Sequence, residues 1–361
     1  MKAMLAAGGT GGHLFPAEAL ADALRERGHE VELITDERAR PFMDTFPASA
    51  VHLVKAATLA EKTPQALFRM ATRNASGLAA SLRAMRAMKP DVAVGFGGYP
   101  TLPPMTAARI LKIPSIVHEA NAVAGRANRR LARHAHVATS FPDVGGLGLA
   151  KRTHVGMPVR PAVMAAKRPY EAAAPEGTFR LLVFGGSQGA RVFADIVPPA
   201  VAKLKEVDRA RLKIVQQARP EDEERVRAAY DEAGVSAEIA PFFKDLPARI
   251  ADAHLVVARS GAGTVAELAV IGRPSLLVPL PGALDQDQAH NASALAATGA
   301  AKRLDQGILS PSRLAHEIGL AMSMPDELAA AAEKAAGFAT PNAAEALADL
   351  AERVAAREPL A

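Results

Sequence analysis

Apolar residues in this chain fall in short unbroken runs, separated by longer stretches where they recur every three or four positions. In the first half the runs predict strands over Ala3–Ala7, Glu30–Thr35, Val51–Val54, Asp91–Phe96, Ser115–His118 and His136–Thr139. Helical patterns such as Pro16–Arg27 and Leu67–Met88 lie between them. Runs without polar alternation fit strands buried on both faces, so this order implies a parallel sheet covered on both sides by helices. Glycine and proline then cluster at Gly145-Gly146-Leu147-Gly148, at Gly156-Met157-Pro158 and around Pro175, marking a linker, and the boundary is placed near residue 160. The pattern restarts with strands expected over Arg180–Phe184, Lys213–Gln216, Glu238–Pro241, His254–Ala258, Ser275–Pro279 and Ala300–Arg303. A helical, alanine-rich tail follows Pro325. The expectation is an α/β protein of two doubly wound, Rossmann-like domains facing a cleft.

Each half opens with a glycine loop directly after its first strand: Gly8-Gly9-Thr10-Gly11-Gly12-His13 and Gly185-Gly186-Ser187-Gln188-Gly189-Ala190. A strand, a glycine turn and a helix start leave backbone N–H groups facing a ligand, usually an anion. Tight turns also use glycine for geometry alone. Neither loop carries Gly-Lys-Ser/Thr, which excludes a P-loop. A third glycine of the dinucleotide fingerprint would fall at Leu14, which argues against a nicotinamide dehydrogenase, although Asp36 sits where a ribose-binding acid could.

Composition narrows the choice. The 361 residues hold no cysteine, which removes disulfides, zinc–thiolate sites and thiol nucleophiles. The first apolar run is too short for a signal peptide, and no apolar span reaches the ~18 residues of a membrane helix. A cytosolic protein is expected. The formal charge of +5 suits an anionic partner, while the absence of tryptophan and only three tyrosines argue against a nucleic-acid stacking platform.

Four further stretches carry candidate chemistry. In Arg259-Ser260-Gly261-Ala262-Gly263-Thr264-Val265-Ala266-Glu267, a helix expected to start near Thr264 offers its N-terminus to phosphate and Glu267 to a ribose diol. Thr264 and Glu267 equally have the spacing of a capping box. After the strand ending near Pro279, Gln288 and Asn291 suit sugar hydroxyls. Asp285 and Asp287 have the form of a metal-binding pair without further ligands, for which a solvated loop tip is the alternative. His118, Glu119 and Asn121 end a strand at the ligand-facing edge of the first sheet, as a catalytic or a structural group. His13 is placed to act as a general base or simply to start a helix.

Taken in order, these motifs resemble the MurG family of bacterial peptidoglycan glycosyltransferases. The likeness is carried by Gly8–His13 with Pro16, Gly95-Phe96-Gly97-Gly98-Tyr99, His118–Asn121, Gly156–Arg160, Gly185–Ala190 and Arg259–Thr264, and it spans essentially the whole chain. It implies a GT-B fold with an acceptor and membrane-docking domain over 1–160, a UDP-GlcNAc-binding domain over 161–337, and a last helix near 338–361 that packs back on the first. The implied reaction is inverting transfer of N-acetylglucosamine from UDP-GlcNAc to the C4 hydroxyl of MurNAc on a polyprenyl-diphosphate lipid, converting lipid I to lipid II. By the same likeness Ser187 and the helix start at Ala262, Gly263 and Thr264 face the diphosphate, and Val265 and Ala266 belong to the same substrate-binding stretch. Glu267 takes the ribose, Phe243 presents backbone to uracil, Gln288 and Asn291 hold the sugar, and Arg160 closes on the nucleotide. Thr10, Gly11, Gly12 and Asn121 reach from the first domain. The family usually has Gln where Ala120 stands, Asn where Met157 stands and Gln where Asp287 stands.

Such a reaction needs a base for the hydroxyl and stabilisation of the departing diphosphate, which oriented N–H groups supply without a metal or other cofactor. His13 is the expected base, with Glu119 as runner-up. The acceptor's lipid requires docking on an anionic membrane. The segment Leu67–Lys89, with Arg69, Arg73, Arg83, Arg86 and Lys89 among apolar residues, suits an interfacial helix. The resemblance further implies a peripheral protein at the cytoplasmic face of the inner membrane, serving wall synthesis, cell shape and division alongside other wall-synthesis proteins. A GT-B enzyme with a different acceptor and a non-catalytic nucleotide-sugar module are the competing readings.

Overall fold

The computed structural model describes residues 1–56, 63–186, 189–282 and 285–359. They form two compact units, Met1–Arg160 with Thr340–Ala361, and Pro161–Ala339.

In the first unit the described strands are β1 (Lys2–Ala6), β2 (Glu30–Thr35), β3 (Ala50–Leu53), β4 (Val92–Gly95), β5 (Ser115–Glu119), β6 (His136–Thr139) and β7 (Arg152–His154), in the order β3-β2-β1-β4-β5-β6-β7. All neighbours pair in parallel; Leu5, for example, lies between Leu33 and Val94. β1 to β6 are the apolar runs of the sequence. β7 is an addition: Arg152-Thr153-His154 has no apolar run because it closes the sheet edge, with Arg152 and His154 exposed. The helix expected over Pro16–Arg27 runs Gly11–Glu26. Pro16 lies inside it, and the first turn needs no intrahelical N–H partners, so glycines can form it.

The helix Ala343–Ala355 belongs to this unit. Leu347, Ala348, Leu350, Ala351 and Val354 join the core of Leu14, Leu20 and Leu24. Arg27 anchors it from outside, donating to Glu345, to Asp349 at 2.7 Å and to Glu352 at 3.2 Å, while His29 Nε2 meets Glu352 at 2.7 Å. Gly156 has φ +86°, and a Cβ there would fall 1.8 Å from Thr340 Oγ1. Only glycine allows the two passages of chain to touch at this point.

The second unit carries β8 (Phe179–Phe184), β9 (Leu212–Gln217), β10 (Ser236–Ala240), β11 (Leu255–Ala258), β12 (Ser275–Leu277) and β13 (Ala301–Arg303), in the parallel order β10-β9-β8-β11-β12-β13. Its core includes Phe179, Leu181, Val183, Phe193, Ile214, Tyr230 and Val257. In both units the first strand lies centrally and the chain reverses its direction of travel across the sheet beside it. This is where open α/β sheets leave a crevice at their carboxyl ends.

Candidate active site

Both glycine loops sit at such switch points. In the first unit Thr10 precedes the helix Gly11–Glu26 with extended backbone, makes no side-chain cap, and no acid occupies the first turn. The dipole and N–H groups of that helix start are therefore uncompensated by side chains. Gly9 lies so close to Ala39 that a Cβ would fall 2.5 Å from its backbone nitrogen. Asp36, at the end of β2, accepts from Gly9 N at 3.2 Å and from Arg38 through backbone and guanidinium. It ties the loop rather than waiting for a ribose.

His13 is half-buried two residues into the helix. It lies against the second glycine turn: a Cβ at Gly98 would fall 3.2 Å from its Nε2, and Gly98 has φ +73°. Gly98 thus leaves room for the imidazole, and Gly97 for the Asn128 amide, 3.2 Å from where its Cβ would fall. Behind them His118 is fully buried. Its Nε2 lies 3.3 Å from Gly156 O and 3.1 Å from Ser140 Oγ, and its ring packs on Phe96 with centroids 5.5 Å apart. Burial pushes its pKa down to about 4, so it is neutral at ordinary pH.

Glu119 is buried, and four donors reach its carboxylate. Asn121 N and Nδ2 are at 3.0 and 3.3 Å from Oε1, and Gly125 N and Asn128 Nδ2 are at 3.0 and 2.8 Å from Oε2. Burial pushes its carboxyl above the usual range and the donors oppose this. With both oxygens so engaged, Glu119 organises the 121–128 turn and is badly placed as a base in this arrangement. Asn128, which also donates to His118 O at 3.1 Å, was passed over in the sequence; a buried amide leaves no periodic signal. Arg160 extends over the Phe15 ring at 4.1 Å. There it faces the half-buried Glu18, whose carboxyl burial raises.

In the second unit the helix Ala262–Ile271 begins two residues before the expected Thr264. Gly261 is its cap, with no side-chain cap bond and no acid in the first turn. Thr264 is then the third helical residue, so the capping-box reading fails: a box needs Thr264 outside the helix. Ala262, Gly263, Thr264, Ala266 and Glu267 are half-buried and Val265 is buried in the core. Ser260 Oγ donates to Gln288 O at 2.8 Å, and Leu280 N donates to Gln288 Oε1 at 3.0 Å. Asn291, expected on sugar hydroxyls, is fully buried and donates to Ser260 O at 3.2 Å, supporting the helix start from behind. Arg259 is buried and donates to Val278 O, Pro279 O and Gln306.

Phe243 is buried, its ring under the Arg249 guanidinium at 4.3 Å. Arg249 is held in turn by Glu238 and Asp245. This fixes the Pro241–Phe243 segment at the end of β10. Ser187 lies outside the described residues. Asp287 starts the helix Asp287–Ala297, and among the described residues no group of three or more His, Asp or Glu side chains converges as a metal site would.

Two parallel, doubly wound sheets, each with a glycine loop and an open helix start at its carboxyl edge, are the architecture of the GT-B class. Residues 3–139 match the glycosyltransferase family 28 N-terminal domain and residues 180–354 its C-terminal domain. A Methylobacterium sp. (strain 4-46) protein is 56% identical over 96% of this chain and 95% of its own length, and one from Brucella canis is 54% identical over 98% and 94%. Both are named UDP-N-acetylglucosamine--N-acetylmuramyl-(pentapeptide) pyrophosphoryl-undecaprenol N-acetylglucosamine transferase. The crystal structure of Acinetobacter baumannii MurG superposes with a TM-score of 0.79 at 30% identity, covering 98% of this chain and 100% of that one. The chain belongs to glycosyltransferase family 28, and within it to the MurG family.

Proposed function

We propose that this protein transfers N-acetylglucosamine from UDP-GlcNAc to the C4 hydroxyl of the MurNAc unit of lipid I, giving lipid II for peptidoglycan. The observation that carries this is the open helix start at Gly261–Ala262, beside β11, in a chain whose full-length relatives bear that activity in their names. Its N–H groups and dipole suit a diphosphate, Glu267 lies one turn further for the ribose, and the Phe243 backbone is held for uracil. Gln288 borders the sugar, with Asn291 and Arg259 behind the wall.

In the transfer, the acceptor oxygen forms a bond to the sugar's anomeric carbon as the bond to the β-phosphate oxygen breaks, and the configuration inverts. His13 takes the hydroxyl proton, and the helix start receives the charge developing on UDP. Preorganised donors at that end make a metal unnecessary for the charge. In the first unit Thr10, Gly11, Gly12 and Asn121 are the residues offered to substrate, with Glu119 holding Asn121.

Docking falls to the N-terminal part of the helix Pro64–Met88. Ser81, Ala84, Met85 and Met88 bury its far half, whereas Phe68 is 70% exposed and Arg69 and Arg73 are exposed with it. Leu67's side chain lies outside the described residues. An exposed aromatic followed by two exposed arginines suits an anionic bilayer surface. No helix among the described residues is long and apolar enough to cross a membrane. On this reading the protein resides peripherally on the cytoplasmic face of the inner membrane, with a place in wall growth, cell shape and division and contact with other wall-synthesis proteins. The test is UDP release from UDP-GlcNAc with and without a lipid I analogue, in buffer with and without EDTA. Release only with the analogue, and unaffected by EDTA, is expected; release independent of the analogue would contradict the assignment.

A further inference from the structure

The two glycine loops are held by different chemistry at the same place in the fold. In the first unit the residue just after β2, the neighbour of β1, is Asp36, whose carboxylate accepts from Gly9 N. In the second unit the neighbour of β8 is β9, and its last residue is Gln217. Gln217 is buried, and its Oε1 accepts from Gly185 N at 2.9 Å. Its Nε2 donates to Gly186 O and to Pro241 O, both at 3.0 Å. The amide orientation is fixed by this set, because a flipped amide would set donor against donor at Gly185 and acceptor against acceptor at both carbonyls.

One side chain therefore joins the entry of the glycine loop to the segment that leads into Phe243. On the proposed function these are the diphosphate wall and the base wall of one donor site, and the inference rests on that reading. A carboxylate in place of Gln217 would keep the Gly185 bond, lose both donor bonds and set a buried negative charge beside an anionic ligand. We infer that Gln217 is a positioning residue for the donor: it fixes the spacing of the two walls so that uracil and diphosphate bind cooperatively, and it must be neutral.

The test uses the full chain, with UDP, uridine and UDP-GlcNAc as probes. In the wild type, uridine alone is expected to slow amide exchange at Gly185 and Gly186 as well as at Phe242 and Phe243, since the latch transmits ordering of one wall to the other. In Gln217→Glu the Kd for UDP rises at least tenfold while that for uridine changes less than threefold. The KM for UDP-GlcNAc rises with it, while kcat falls less than threefold. Gln217→Met, which has no hydrogen-bonding group and no charge, abolishes the uridine effect at Gly185. A general loss of stability would instead weaken uridine and UDP together. Exchange slowed by UDP at both walls but by uridine only at Phe242 and Phe243, or unchanged UDP affinity in Gln217→Glu, would overturn the role of Gln217 and leave the donor site standing. A wild type whose exchange UDP slows at neither wall would overturn the donor assignment and this inference together. The wild-type exchange measurement needs no variant to fold.

Discussion

Protonation of His118 gives the first unit a defined acid sensitivity. The imidazole is fully buried, Nε2 already faces Gly156 O and Ser140 Oγ, and Nδ1 has no hydrogen-bond partner among the described residues. The imidazolium, with a hydrogen on both nitrogens, would carry a buried Nδ1–H with nothing among the described residues to accept it, against the Phe96 ring. This burial lowers its pKa from 6.5 to about 4. Because the folded pKa is depressed, the unfolded chain binds the proton first as pH falls. Stability is therefore intact above pH ~6.5 and drains away down to pH ~4, where the native ring also protonates. At about 1.4 kcal/mol per pH decade the loss comes to about 3 kcal/mol. Glu119 next to it is shifted upward by burial and acts in the opposite sense, so the informative quantity is a difference between two proteins. His118→Gln keeps a donor for Gly156 and cannot charge. Denaturant unfolding of both proteins at about pH 7 and about pH 4.5 can be followed by circular dichroism, with amide exchange in β5 identifying the first unit's transition. The wild type should lose about 2.5 kcal/mol more than His118→Gln on acidification to that pH, which stops short of the full loss. Equal losses would refute the argument that the buried ring resists the proton.

Three other substitutions test the packing that carries the site. Gly156→Ala drives a methyl into Thr340 and should cost about 2–4 kcal/mol in thermal or denaturant unfolding; Gly156→Ala with Thr340→Ala should recover part of it, and strict additivity would speak against the contact. Arg273 is buried and donates to the carbonyls of Ala251, Ile271, Gly272 and Arg168, so Arg273→Met should destabilise the second unit by about 3 kcal/mol, read as a lower urea midpoint. Arg27→Met removes three partly exposed ion pairs to the helix Ala343–Ala355 and should cost only about 1 kcal/mol, a difference that shrinks in high salt; a salt-independent loss would mean that packing, not charge, holds that helix.

The sheets were largely legible because a parallel strand covered on both faces must be an apolar run, as in Lys2–Ala6, Val92–Gly95, Phe179–Phe184 and Leu255–Ala258. β7 was not, since Arg152-Thr153-His154 pairs on one side only and buries little. Helix starts were displaced for a local reason. Gly11 and Ala262 begin helices whose first turns are capped by no side chain, so the usual side-chain capping signal is missing where a ligand has most use for bare N–H groups. The same absence led Thr264 to be weighed as a cap. The glycine loops, His13 and the Glu267 helix could be found from sequence because their spacing is local. The Gln217 latch and the burial of Asn291 could not, because each depends on contacts between segments distant in the chain, and the Glu119–Asn128 pair could not because it depends on how the turn between them folds.

On the proposed function the second unit binds the donor and His13 of the first unit takes the acceptor proton. His13→Ala separates the two roles, with the Kd for UDP measured by calorimetry and kcat measured with a lipid I analogue. A Kd within about twofold of wild type and a kcat lower by about 10²–10⁴-fold are expected. A kcat close to wild type, or a loss confined to donor affinity, would contradict these roles.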